Sequence, residues 1–191
     1  LAVVVIVGGA AYREYSKAQE LAAAQALGDG MIAALAADEP ADRAEALAPV
    51  AAGEETGAAV AKMMRAGALA EAEDAETAVA VLSEVATDGE LPLVYRHIAS
   101  FKALALQAET LSLEERRLQY EALAQPGAPL SLLASEQLAL LDIEAGETEA
   151  AIARLQAITA DATVSRDLQD RATQVIVALG GKPDAADAPE G

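Results

Sequence analysis

The chain has 191 residues, with 31 acidic against 13 basic side chains, a formal charge of −18 and no cysteine. That balance argues against nucleic acid as a partner, since phosphate binding needs a concentrated basic surface. It also removes disulfides, thiolate nucleophiles and thiolate metal ligands. Apolar residues make up 53% but aromatics only 3%, so Ala and Leu must carry the core. Such a composition favours close-packed helices over sheets.

The chain opens LAVVVIVGGAAYREYSKAQE, an uncharged stretch that runs directly into Arg13, Glu14 and Lys17. Eleven helical residues cover only about 17 Å against about 30 Å of hydrocarbon, so the stretch is too short to span a bilayer alone. It lacks a basic leader, which sets it apart from a signal peptide. VVVIV could be a core strand, but no second strand follows to pair with it. The reading that remains is the C-terminal part of a transmembrane anchor over residues 1–16. Leu1, Val3, Val4, Val5, Ile6 and Val7 would lie in lipid, Tyr12 and Tyr15 in the aromatic belt, and Arg13 and Lys17 at the headgroups.

The helical pattern continues to about residue 37, with Gly28 and Gly30 as a weak point. Asp38-Glu39-Pro40 breaks it, and Pro40 opens a short helix to about Leu47. Pro49 through Gly53 reads as a linker, so 17–53 is taken as juxtamembrane helices and linker. From Glu54 the pattern becomes one of pairs. Helices are expected over about 54–72 and 74–87, and then, after the Asp88-Gly89 turn, from Pro92 to about 107. Ser112-Leu-Glu-Glu115 is a capping box that opens a helix to about 124. After Gln125-Pro-Gly-Ala-Pro129 a helix ends at Gly146, a C′ glycine. Two more follow, over about 147–160 and 165–179, the last stopping at Gly180-Gly181. The Pro/Asp/Ala-rich tail, 182–191, has the composition of a segment without packed structure.

Several matches share one period. Leu82, Leu118 and Leu155 stand 36 and 37 residues apart. Arg117-Leu118-Gln119 recurs as Arg154-Leu155-Gln156, Pro92-Leu93 as Pro129-Leu130, and Ala103-Leu104 as Ala139-Leu140. Short helix pairs repeating at this interval predict an all-α solenoid of about three pairs over 54–181, closed by a capping helix.

On those residues, above all SLLASEQLALLDIEAGETEAAIARLQAITAD (131–161) and VIVALGG (175–181), the chain resembles a family of tetratricopeptide-repeat-like bacterial inner-membrane proteins. Its best-known member is the ancillary subunit of the Sec translocon. DAETAVAVL (74–82) resembles the same element with its turn glycine lost. The resemblance implies one N-terminal anchor, a periplasmic repeat domain, and an adaptor or chaperone-like role near the translocon. In such solenoids the first helix of each pair lines the concave face.

No constellation points to catalysis. His97 is the single histidine, which excludes a multi-histidine metal site. It lies beside an expected buried stripe of Val94, Ile98, Phe101 and Ala105, as a boundary residue. The carboxylate clusters fall at helix starts and turns, where negative charge complements the helix dipole. No catalytic, cofactor or metal residues are therefore assigned, and no cofactor is expected. One charge asymmetry stands out: Lys62, Arg65, Arg96, His97 and Lys102 all fall on first helices of pairs. With Met63, Met64 and Tyr95 they could form a mildly basic groove for an acidic or extended polypeptide. Lys62, Met63, Arg65, Tyr95, Arg96 and Lys102 are its candidate residues. The expected function is non-enzymatic protein binding by a membrane-tethered adaptor in the bacterial envelope. The alternative is an accessory subunit of a large inner-membrane complex, such as a respiratory one, held by its N-terminal helix.

Overall fold

A computed structural model describes residues 2–52 and 56–182, with side chains from Arg13 onward apart from Glu20 and Thr56. All regular structure among the described residues is helical. The helices are α1 (Ala2–Leu35), α2 (Pro40–Ala51), α3 (Thr56–Glu71), α4 (Ala75–Thr87), α5 (Leu93–Leu106), α6 (Leu113–Leu123), α7 (Ser131–Glu144), α8 (Thr148–Thr159) and α9 (Arg166–Ala178). The chain divides into two compact units, residues 1–91 and 92–191.

In the first unit α1 is one unbroken helix of 34 residues, so the VVVIV run is helical and no strand competes for it. No helix among the described residues is long and apolar enough to cross a membrane. Leu1 lies outside the described residues, as do the side chains of Val3, Val4, Val5, Ile6, Val7 and Tyr12. Tyr15 is exposed, its hydroxyl accepting from Gln19 Nε2 at 2.7 Å. The last turns of α1 pack on α2 and α3. Gly30 is not a weak point but a close approach: a Cβ there would lie 2.9 Å from Val50 Cγ2. At Gly57 of α3 a Cβ would lie 2.0 Å from Leu27 Cδ2. The backbones can come together because neither glycine carries a side chain.

The expected linker from Pro49 is also corrected, since α2 runs through Pro49 to Ala51. Proline removes one helical hydrogen bond, but burial of Leu47 and Ala51 on either side of it keeps the last turn seated on α3. The unit is completed by α4, which buries Ala78, Val81, Leu82 and Val85 against α3. Asp74 caps α4 by accepting from the Thr77 amide at 3.1 Å.

The second unit stacks α5 to α9 in chain order, each helix packing on the next. The central helix, α7, serves two cores. Ala134, Leu138 and Leu141 join Leu104, Tyr120 and Leu123 of α5 and α6, with Phe101 set edge-on to Tyr120 at 5.6 Å. Ala139 joins Leu155 and Ile158 of α8 and Leu168, Ala172 and Ile176 of α9. A helix that packs on neighbours from two sides carries apolar residues around much of its circumference, as SLLASEQLALL does.

Burial sets the true register of the repeat. Ala99, Ala103 and Leu104 of α5 correspond to Ala134, Leu138 and Ala139 of α7, and Tyr120 and Leu123 of α6 to Leu155 and Ile158 of α8. Each correspondence is an interval of 35 positions, shorter than the 36 and 37 that letter matching gave. Leu118 is the clearest casualty: it is 69% exposed, whereas Leu82 and Leu155 are each 1% exposed. Its slot is filled by Tyr120. The expected stripe of α5 moves likewise, because Val94 and Ala105 are exposed and the buried positions are Ala99, Ala103 and Leu104. Small residues allow the closest helix approach, so they mark the buried line better than large ones do in an alanine-rich chain.

Candidate protein-binding surfaces

The candidate basic residues fall on two helices in two units. Lys62, Met63 and Arg65 share α3, and Tyr95, Arg96 and Lys102 share α5. On α3 both charges have internal partners. Lys62 Nζ lies 3.1 Å from Glu84 Oε2 of α4, and Arg65 Nε donates to the Ala44 carbonyl of α2 at 3.3 Å. Met63 and Met64 beside them are half-buried. On α5, Lys102 is exposed, whereas Tyr95, Arg96 and His97 are half-buried. Arg96 Nε and His97 Nδ1 are buried atoms without a hydrogen-bond partner, as is Arg116 Nε on α6.

Sequence reading had not singled out the polar centre of the second unit. Asp142, in the last turn of α7, is 1% exposed and is the buried charged residue of the described core. Arg117 of α6 donates to its Oδ1, and Arg154 of α8 donates through Nε to its Oδ2 at 2.9 Å. Arg117 also reaches Glu147 at 3.5 Å. A buried carboxylate is tolerable only when paired and hydrogen-bonded, and here each oxygen has its own guanidinium. Hydrogen bonding to Asp142 pushes the Arg117 pKa up. The repeated Arg-Leu-Gln was visible in the sequence, but only the fold brings both arginines to one carboxylate from opposite sides of α7.

Around that centre lie further ties. Arg116 pairs with Glu144 at 2.5 Å, and Arg171 of α9 holds Glu136 of α7 through two bonds of 2.9 and 2.8 Å. In the first unit Arg43 of α2 pairs with Glu71 of α3 in the manner of Arg116 and Glu144. These ties spend most of the second unit's arginines on helix register.

Between α7 and α8 runs an open groove of about 550 Å³. Leu132 and Ile158 form apolar walls, Ala150, Ala153 and Ala157 keep it wide, and Ser135, Arg154 and Asp161 supply polar atoms. Asp161 is not a free acid. Its Oδ1 accepts from the Thr163 amide and hydroxyl, which hold its pKa below the ordinary value. Opposite the stack, α9 presents Arg166, Asp167, Asp170, Arg171 and Gln174 outward while burying Leu168, Ala172 and Ile176. No group of three or more metal-ligating side chains occurs among the described residues.

Comparison with family models, with curated proteins and with solved structures gave no match.

Proposed function

We propose that this chain is a non-enzymatic, tetratricopeptide-like helical-repeat adaptor that binds other proteins in the bacterial envelope. The observation that carries the reading is the 35-position recurrence of buried residues from α5–α6 to α7–α8, with α9 closing the stack. A short stack of helix pairs offers an extended surface of the kind that repeat proteins use for recognition.

On this reading the apolar residues 2–11 seat in the inner membrane as one end of an anchor, with the repeats on the periplasmic side. The translocon is the complex that the sequence resemblance favours. A second reading, an accessory subunit of a large inner-membrane complex, draws on α1, where every described side chain from Arg13 to Ala26 is exposed except half-buried Ser16. A helix so bare within its own chain is suited to a neighbour in an assembly.

Detergent co-purification of the full chain, with identification of what comes with it, separates the two. Partners that are lost when exposed Lys102 and half-buried Arg96 of α5 are reversed to Glu support the adaptor. Partners retained by residues 1–37 alone support the subunit. Recovery of neither class, in a membrane fraction that contains the protein, would overturn both.

A further inference from the structure

The first helix carries an inference about distance. Among the described side chains its contacts with the rest of its unit come from its C-terminal turns, where Leu27 meets Gly57, Gly30 meets Val50 and Ala34 is buried. Yet it continues without a break to Ala2. The stretch from Arg13 to Ala26 contains neither Gly nor Pro and is rich in Ala, Glu and Gln, residues that extend a helix at low cost. Starting a helix is the unfavourable step and lengthening it is nearly neutral for such residues, so a packed C-terminal end can support a long unpacked one. Two local bonds add to this, Gln19 to Tyr15 at 2.7 Å and Ser16 to the Arg13 carbonyl at 3.1 Å.

We propose that α1 is a rigid arm, holding the α2–α4 body at a fixed standoff from the bilayer in which residues 2–11 are seated. The bilayer end of this statement rests on the reading above; the arm itself does not. From Ala11 to Leu27 the helical rise is about 24 Å. A flexible linker of the same residues would have a similar mean span but a broad distribution, and would let the body reach the membrane surface. The arm therefore selects partners by height: along its axis it carries the body about 24 Å from the hydrocarbon edge and about 15 Å beyond Lys17 at the headgroups, within reach of the extramembrane part of a membrane protein, and raises the encounter rate there.

The absence of cysteine makes the test direct. Nitroxide labels on Ala11→Cys with Leu35→Cys, and separately on Ala18→Cys with Ala80→Cys of α4, would be measured by double electron–electron resonance. The full chain would sit in vesicles of phosphatidylethanolamine and phosphatidylglycerol. The first pair is expected to give one narrow peak near 36 Å, the rise of a continuous helix. The second is expected to be narrow too, and to broaden at least twofold when Gly-Gly is inserted after Ala23. Thermal unfolding of that insertion variant should match the parent's, because the inserted site makes no packing contacts. Broad distributions in the parent would overturn the arm. Flotation with the same vesicles reports on the membrane reading separately. Narrow distances without flotation would support the arm and overturn the bilayer as its seat.

Discussion

Glu73 stands at φ 64, the left-handed conformation that Gly146 and Gly180 supply at φ 80. In all three places the chain closes a helix in the same way. The Asp74 amide donates to the Leu69 carbonyl at 2.9 Å, the Glu147 amide to Asp142 at 2.8 Å, and the Gly181 amide to Ile176 at 2.9 Å. Glu73 therefore occupies a glycine position and bears the steric cost of its Cβ. Glu73→Gly is expected to raise stability by about 0.5–1 kcal/mol, read as a higher urea midpoint at unchanged slope. Gly146→Ala should lose about 1 kcal/mol by the same measurement. Asp142→Ala should cost more, about 2–4 kcal/mol, because it leaves two arginines facing each other without their carboxylate. The figure sits below the fully buried limit since Arg117 and Arg154 keep 24% and 34% of their side-chain surface. The capping box gives a pH prediction. The Ser112 hydroxyl and amide hold the Glu115 carboxyl below the ordinary 4.5, and Thr163 acts on Asp161 in the same sense. A carboxyl depressed in the folded state adds stability above its unfolded value, and that stability is lost as pH falls through the folded one. Acid unfolding should therefore steepen below about pH 4.5, and Ser112→Ala with Thr163→Ala should flatten it.

At the scale of elements, two glycines of α1 two positions apart should respond in opposite ways. Nothing lies within 4 Å of a Cβ at Gly28, while one at Gly30 meets Val50. Gly28→Ala is expected to stabilise by about 0.5–1 kcal/mol through helix propensity. Gly30→Ala should be neutral or destabilising, since a stiff β-branched side chain must yield. Thermal melts of the two variants side by side check this. The helix bounds themselves were legible in the sequence to within a residue or two from 56 onward, because Pro, Gly and cap residues mark each end chemically. Register within the helices was not. In an alanine-rich chain many alignments look alike, and Leu118 matched Leu82 and Leu155 by letter while pointing to solvent. The slot one turn earlier explains part of the slip. Ala78 and Ala151 are wholly buried there, but α6 carries Arg116, which turns aside to Glu144.

For the whole molecule, a charge of −18 on 191 residues is a source of self-repulsion in the folded state. Added sodium chloride should raise the melting temperature until surface carboxylates are screened. The Asp142 pairs, with the carboxylate buried and the arginines partly so, should be screened less than surface charges, so the loss caused by Asp142→Ala should change little between low and high salt. Equal salt dependence of wild type and a surface-neutralised variant would contradict the first expectation.

Composition, caps and breakers are local properties, and from them the sequence by itself determined an all-α fold for the described residues and the ends of most helices. Which residues meet depends on how helices lie against one another, and that was decided only in three dimensions. Asp142 looked like one more turn carboxylate until Arg117 and Arg154 closed on it. Two of the candidate basic residues, Lys62 and Arg65, proved to be tied to Glu84 and to the Ala44 carbonyl. Gly30, which read as a weak point in the first helix, proved with Gly57 to be a contact that seats α1 on its unit. Each of these outcomes joins residues far apart in the chain, and no local rule of propensity or spacing carries that information.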